Sequence, residues 1–538
     1  MNEPAHPFKY LSSLFYFIFF LYAGIFIYQT SFRIGDTRFF CLFDDAMISM
    51  RYAKNLADGF GLVWNPGGEK IEGFSNPLWV GLMSFFHLFP IGSSKICLVI
   101  QISGLIFYVL SLVLITKTAE ILSGGSKAVS IGAFFLTAFY YPLHNWMLQG
   151  TETGLQTFVV CFSVWLLLCH RETKRLKWWV YLMLGTGTLI RLDMVVPYLC
   201  VSLLLIYQEK QNKIRHGIIA VSIFAFFLGI QTLFRQLYYH EWLPNTYYLK
   251  MTGLFFPYRI TRGGYVFFQF VRQINPLLFF LPAGLLFVKN DRPVVLHLIV
   301  FSTQILYSIW VGGDAWERGD ANRFLAFVMP LYFSVYAYAL SYFLSRLGEH
   351  AAIFKAKQNF IYGILIFFSL IQFNSFSLDG WHEFLFQKKP YEVSENQLNT
   401  EKALLVKAVT KENATIGASR VGAMAYFSCR YTIDFLGKND KKIAGLPAKN
   451  PPPGVSPWTS FFPGHNKWDY AWSIGELQPD IVVHLWQYWS GPQEAKPYLL
   501  NDYRLIQWPN SRYNVYVRNH SARILWDNEM IQCGLINR

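Results

Sequence analysis

The chain has 538 residues, of which 53% are hydrophobic, 18% aromatic and only 15% charged. A soluble domain carries roughly a quarter charged residues; with a mean hydropathy of +0.27, this composition excludes disorder and argues for a polytopic membrane protein over a soluble enzyme. The net charge of +14 raises nucleic-acid binding, but Lys and Arg gathered in cytoplasmic loops explain such a balance in a membrane protein. The seven cysteines contain no CxxC or Cys/His cluster that would suggest zinc.

A helix crosses a bilayer with about 20 mainly apolar residues. Leu11–Gln29 is the first candidate; no small-residue cleavage site accompanies it, which predicts an anchor and not a removed signal peptide. A loop of mixed charge follows, from about residue 31 to 94. Its apolar stretch Pro77–Phe89 is too short to span and belongs at the interface or re-enters. Further apolar runs cover Ile96–Thr116, Ala128–Pro142, Gly154–Cys169, Trp178–Ile190, Met194–Tyr207, Gly217–Leu237, Pro276–Val288, Pro293–Val311, Phe324–Leu344 and Phe360–Gln372. With the first helix these predict about eleven transmembrane helices within residues 1–375.

Orientation follows from the basic loops. Arg171, Lys174, Arg175 and Lys177, then Lys210, Lys213 and Arg215, then Lys289 and Arg292, then Arg346, Lys355 and Lys357 share one side, while residues 142–153 on the other carry no Lys or Arg. The N-terminus is therefore expected inside and the loop 31–94 outside. Residues 178–207 read either as one helix of about 45 Å, too long for the bilayer, or as a hairpin with Arg191 and Asp193 at its tip, lining a wet cavity. The single helix would reverse the side on which the tail lies.

Residues 376–538 predict a soluble α/β domain on the outer side. Ala414–Ser419, Arg430–Phe435, Asp480–Leu485, Tyr503–Trp508 and Tyr513–Arg518 read as strands, and Glu395–Thr410 as a helix with one apolar face. Cys429 and Cys533 share this tail and could pair, which separation in sequence does not decide.

Asp44 and Asp45 follow the first membrane helix, and either can cap a helix running to about Ala57. A helix N-terminus also favours ionised carboxylates, as a general base requires, and two adjacent acids could hold a divalent cation. Glu72, just before the chain returns to the membrane, can accept hydrogen bonds from sugar hydroxyls. Other polar groups fall at outer helix ends: Glu152, Arg191, Asp193, Asn245, Lys250, Asp314, Arg318 and Arg323. Charges beside membrane spans are costly, so a group of them on one side suggests a polar outer pocket. His465 and Lys467 are the most site-like residues of the tail, although a surface loop explains them equally well.

The segment FDDAMISMRYAKNLADGFGLVWNPGGEKIEGFSNPLW, residues 43–79, resembles the first outer loop of GT-C glycosyltransferases. Within that superfamily the chain is most similar to the mycobacterial-type cell-wall arabinofuranosyltransferases that add terminal residues, and to their bacterial relatives. GTETGLQ, RLDM, WLPNTYYLK, GGDAWERGDANRF, IDFLGKND and PGHNKWD extend the resemblance from residue 150 into the tail. The resemblance implies an inverting enzyme of the bacterial inner membrane. It would move a pentose from a polyprenyl-phosphate donor to a hydroxyl of a cell-envelope glycan, with its active site and C-terminal domain on the periplasmic side. It puts the catalytic base at Asp44 or Asp45, with Asp44 preferred as the first aspartate of the pattern and Asp45 then orienting it or holding a metal. Fixed cations can stabilise a departing phosphate, and Lys250, Arg191, Arg318 and Arg323 are the candidates, Arg323 foremost. The expected partners are the polyprenyl-phosphate sugar donor, the glycan acceptor and membrane lipid, and nucleic acid is not expected. The rival readings are another sugar moved to lipopolysaccharide or protein, and a lipid-linked-sugar flippase.

Overall fold

The computed structural model describes residues 7–169, 178–208, 212–289, 291–314, 322–350, 352–375, 378–456, 458, 461–507 and 514–534. Helix α1 (Pro7–Gln29) leads into a hairpin of β1 (Ser31–Ile34) and β2 (Thr37–Phe40). Helices α2 (Asp44–Ala57) and α3 (Pro77–His87) complete the first loop. Then come α4 (Ile96–Leu122), α5 (Lys127–Ala138), α6 (Tyr141–Leu148) and α7 (Thr153–Cys169). Next are α8 (Trp178–Ile190), α9 (Val195–Gln208), α10 (Lys213–Tyr239), α11 (Asn245–Met251), α12 (Phe256–Ile274), α13 (Pro276–Val288) and α14 (Arg292–Val311). The short α15 (Arg323–Ala326) precedes α16 (Met329–His350) and α17 (Ala352–Phe373).

The apolar runs read from the sequence are helical apart from breaks between α5 and α6 and between α15 and α16. Among the described residues, four helices are long and apolar enough to cross a membrane unaided, and two bent pairs, Tyr141–Leu148 with Thr153–Cys169 at 116° and Phe256–Ile274 with Pro276–Val288 at 92°, raise this to six if each pair is one span. The run Ala128–Pro142 departs from expectation: it breaks between α5 and α6. Proline cannot donate to a helix ladder, and the backbone groups freed at the break find Asn374. Its Oδ1 accepts from Tyr141 N (2.8 Å) and its Nδ2 donates to Phe139 O (2.8 Å). Residues 178–207 form the hairpin. Thr188 on α8 meets Gln231 and Tyr198 on α9 meets Ala220, so the two helices run along α10 in opposite directions. Helix α12 was not foreseen, because Arg259, Arg262 and Arg272 interrupt its apolar content.

In the tail, α18 (Leu378–Phe384) and α19 (Val393–Val409) precede a five-stranded sheet. Its strands are β3 (Thr415–Ala418), β4 (Tyr431–Asp434), β5 (Ile481–His484), β6 (Tyr503–Gln507) and β7 (Asn514–Arg518), in the order β4-β3-β5-β7-β6. β3 lies parallel to β4 and β5; β7 is antiparallel to β5 and β6. Successive strand side chains face opposite sides. Ile481 and Val483 join the large core shared with the helices, while Val482 and Leu485 join a smaller one with Phe435, Trp468 and Ile474. Helix α20 (Gly422–Ser428) packs on α2, and the buried Arg51 guanidinium fastens the two. It donates to Trp64 O (3.3 Å), Ala425 O (3.2 Å) and Arg430 O (3.3 Å). Cys429 is a free, exposed thiol; the side chain of Cys533, with which it could pair, lies outside the described residues.

Candidate active site

Asp44 and Asp45 occupy the first turn of α2, with Phe43 in the capping position and no side-chain cap. The capping roles expected for them are thus overturned, because each carboxylate is drawn to a distant partner. Asp44 turns toward α20, where Oδ1 accepts from Ala423 N at 3.0 Å and Oδ2 from Gly422 N at 3.4 Å. Only glycine fits at 422, since a Cβ there would lie 2.0 Å from the Asp44 carbonyl oxygen. Burial raises the Asp44 pKa above the usual carboxylate value, against the pull of the Ala423 amide and of Lys438.

Asp45 points the other way. Its Oδ2 lies 3.0 Å from Arg323 Nη1 and its Oδ1 2.5 Å from Lys438 Nζ. Burial would raise its pKa, but Lys438, Arg323 and Lys250 outweigh that and hold it well below the usual range. Asp45 lines a cavity of about 130 Å³ together with Arg191, Asp193, Lys250, Asp314, Arg323, Lys438 and His465.

Three further elements build the wall. Arg323, at the start of α15, grips Asp314 with Nε (2.9 Å) and Nη2 (3.0 Å), and Asp314 Oδ2 also accepts from the Arg323 amide. At the hairpin tip Arg191 pairs with Glu152 (2.8 Å) and Asp193 (3.1 Å). Glu152 in turn accepts from Asn76 Nδ2 (2.8 Å), whose Oδ1 accepts from Ser49 of α2 (2.9 Å). This chain ties the first loop to the hairpin. Lys250 of α11 differs from the other cations: among the described residues no carboxylate lies within ion-pairing distance. Burial and the Arg323 charge push its pKa down to about 8, against the attraction of Asp45. His465 stacks on Trp486 (5.2 Å), and burial together with Lys438 pushes it down to about 3, so it is neutral at ordinary pH.

Not every expected residue reaches the cavity. Glu72 is committed to Arg235 at 2.7 Å, both nearly sealed from solvent, and is not open to a sugar hydroxyl. Glu152 stands behind Arg191. Asn245 donates to Gly437 O and Lys438 O (both 2.9 Å) and holds the loop that carries Lys438. Lys467 is tied to the carbonyls of Ala444 (2.6 Å) and Tyr248 (3.0 Å). Arg318 lies outside the described residues. Conversely, Lys438 was missed. It follows Gly437, whose φ of +79° sharpens the turn after β4, but a lone turn lysine carries no pattern of its own. Tyr247 and Tyr307 also line the cavity and went unsuspected.

The acidic pair does not suit a divalent cation. Its two carboxylates diverge, one to backbone amides and the other to two cations, and no group of three His, Cys, Asp or Glu side chains converges among the described residues.

A family model described as dolichyl-phosphate-mannose-protein mannosyltransferase matches residues 83–233. A second, described as a domain of unknown function (DUF8728), matches residues 390–521. No curated protein matches the chain in sequence. Among solved structures, ArnT from Cupriavidus metallidurans bound to undecaprenyl phosphate is 12% identical, with 95% of this chain and 98% of that one covered and a TM-score of 0.54. The oligosaccharyltransferase from Archaeoglobus fulgidus in its apo form is 12% identical, covering 97% and 76%, at 0.57. AglB from Archaeoglobus fulgidus, in complex with an inhibitory peptide and a dolichol-phosphate, is 10% identical, covering 95% and 75%, at 0.52. The shared fold and the mannosyltransferase match support a membrane glycosyltransferase of the GT-C kind.

Proposed function

We propose that this chain transfers a sugar, arabinofuranose or a related pentose, from a polyprenyl-phosphate donor to a hydroxyl of a cell-envelope glycan. The observation that carries the reading is the cavity in which Asp45 faces Arg323, Lys438 and Lys250. A phosphate-linked sugar needs both halves of that arrangement: cations for the leaving group and a carboxylate for the incoming hydroxyl. Lipid phosphates bound in the ArnT and AglB structures point to the same donor class.

In this reading the acceptor oxygen attacks the anomeric carbon from the face opposite the phosphate. The new C–O bond forms as the bond to the phosphate oxygen breaks, with its electron pair leaving on the phosphate and inversion at carbon. The hydroxyl proton passes to Asp45. Asp45 takes this role in place of Asp44, whose oxygens hold the α20 amides. Its low basicity in the resting protein comes from Lys438 and Arg323. A donor phosphate that shares those cations weakens their hold and restores basicity when a proton must be accepted. Lys250, with no carboxylate at ion-pairing distance among the described residues, is the cation most open to the phosphate. Fixed positive charge in a site closed to water is effective against a developing anion.

The reading includes eleven crossings, a cytoplasmic N-terminus and a cavity and tail on the periplasmic side of a bacterial inner membrane. The mannosyltransferase match favours a second version, with a hexose moved to protein. Mass spectrometry of lipid co-purified with the protein separates them. A pentosyl polyprenyl phosphate is expected; a hexosyl one establishes the second version, and a lipid without phosphate removes both.

A further inference from the structure

Three segments that meet beside the cavity, residues 245–274, 300–313 and 447–466, contain no Asp or Glu, although Lys250, Arg259, Arg262, Arg272 and Lys449 lie in them. Arg259 of α12 is the cation this leaves most exposed to imbalance. Only 6% of its surface is accessible. Its Nη1 donates to Met251 O at 3.3 Å. Nε and Nη2 have no hydrogen-bond partner among the described residues, and of the two only Nε is sealed, so Nη2 is the nitrogen a ligand can reach. No carboxylate among the described residues lies at ion-pairing distance. A charge held in such a place is costly unless an anion accompanies it.

The surroundings say which anion. The guanidinium carbon lies 5.1 Å from the centre of the Trp310 ring and 5.4 Å from that of Phe256, and the two rings meet edge to face. Ring faces offset part of the cost of the charge but offer no oxygen to its N–H groups. Trp310 is the penultimate residue of α14, one of the helices long and apolar enough to cross a membrane. Phe255, Phe256, Trp310 and Trp458 are all exposed, and Trp458 of the tail meets Tyr258 of α12 at 5.0 Å. Exposed aromatic rings at the end of a span mark the headgroup level of a bilayer, and a basic pocket between helices at that level suits an anionic lipid. Leu306, one turn before Trp310, is also exposed and continues the apolar face into the bilayer, where an acyl chain would lie.

The place is separate from the donor's, since neither Arg259, Phe256 nor Trp310 lines the cavity. It is nevertheless joined to it. A Cβ at Gly312 would lie 3.0 Å from Arg259 Cγ, so the arginine stem packs on that turn. Arg262, one helical turn on, donates to Gly312 O and to Asp314 O (3.3 Å), and Asp314 is the residue that Arg323 grips. We propose that Arg259 binds the phosphate of an anionic glycerophospholipid from the leaflet on the cavity side, with Trp310 and Phe256 flanking the headgroup, and that the bound lipid braces the Gly312–Asp314 turn. Arg259 is then a lipid-binding residue that acts on the reaction only through Asp314 and Arg323. The binding site stands on its own geometry; its effect on transfer rests on the glycosyltransferase reading.

The full chain, stripped of lipid in detergent, is titrated with phosphatidylglycerol and with phosphatidylcholine, and binding is followed by native mass spectrometry. Phosphatidylglycerol binds saturably and phosphatidylcholine does not. Arg259→Gln raises the phosphatidylglycerol Kd about tenfold. Trp310→Ala, which leaves the charge in place and alters an exposed ring, raises it as well and decides the matter if Arg259→Gln does not fold. Equal binding of the two lipids, or a Kd unchanged in the variants, overturns the proposal. So does displacement of phosphatidylglycerol by inorganic phosphate, which would make this a site for the free ion. A polyprenyl phosphate that loses affinity in Arg259→Gln as phosphatidylglycerol does would assign the arginine to the donor instead and also overturn it. In phosphatidylcholine nanodiscs, added phosphatidylglycerol raises sugar transfer by the wild type and not by Arg259→Gln, with donor Kd equal in both; no rise in the wild type overturns the bracing role. A chain that transfers no sugar at all would defeat the glycosyltransferase reading and leave the lipid titration standing.

Discussion

The carboxylate of Asp45 lies 3.0 Å from the guanidinium of Arg323, although 278 residues separate them in the chain. The same guanidinium holds Asp314 with two further nitrogens. Arg323 is thus the joint between the first loop and the α14–α15 connection. Removing one partner of a buried ion pair leaves the other uncompensated, at a cost of about 3–5 kcal/mol. Arg323→Ala should therefore lower the melting temperature measurably and weaken binding of donor lipid. Arg323→Lys, which keeps the charge and loses the bidentate grip, should recover donor binding more than stability. Thermal melts with lipid-binding titrations separate the two effects.

Lys250 supplies a pH signature. Its pKa is pushed down to about 8, so the cation is present below that value and lost above it. Donor affinity should fall as pH rises through about 8, because only the protonated amine attracts a phosphate. Lys250→Arg stays charged throughout and should flatten that fall. An unchanged pH dependence in the arginine variant would contradict Lys250 as a phosphate partner.

Gly422→Ala tests the contact between α2 and the tail. The added Cβ would sit 2.0 Å from Asp44 O and 2.8 Å from Asp44 Oδ1, so α2 and α20 must separate. Loss of the two amide bonds to Asp44 should cost about 1–3 kcal/mol and lower transfer by displacing Asp45. Hydrogen exchange over residues 422–428 should quicken while α4 and α7 stay protected.

Orientation is open to direct chemistry. Cys429 is an exposed thiol in the tail, and Cys169 is an exposed thiol at the far end of α7, about 25 Å from Thr153. An impermeant thiol reagent outside intact cells should label Cys429 and spare Cys169. The reverse result would invert the proposed topology.

Much of this architecture was legible because its causes are local. Apolar runs foretold the helices, and the short apolar run within Asp480–Leu485 foretold the strand β5. The choice between Asp44 and Asp45 was not legible. It depends on where Gly422 and Ala423 lie, and the Ala423 contact spans 379 residues. The break before α6 depends likewise on Asn374, 235 residues from Phe139. Glu72 looked available to substrate because nothing in its neighbourhood announces Arg235, 163 residues on. Local pattern determined the elements, and long-range pairing decided which charges are free to act.

The most direct measurement is sugar transfer by purified Asp45→Asn and Asp44→Asn, each shown by melting to be folded and by titration to bind donor lipid. The account predicts that Asp45→Asn loses transfer while keeping donor affinity, and that Asp44→Asn retains a substantial part of the activity. Undiminished turnover by Asp45→Asn would contradict it.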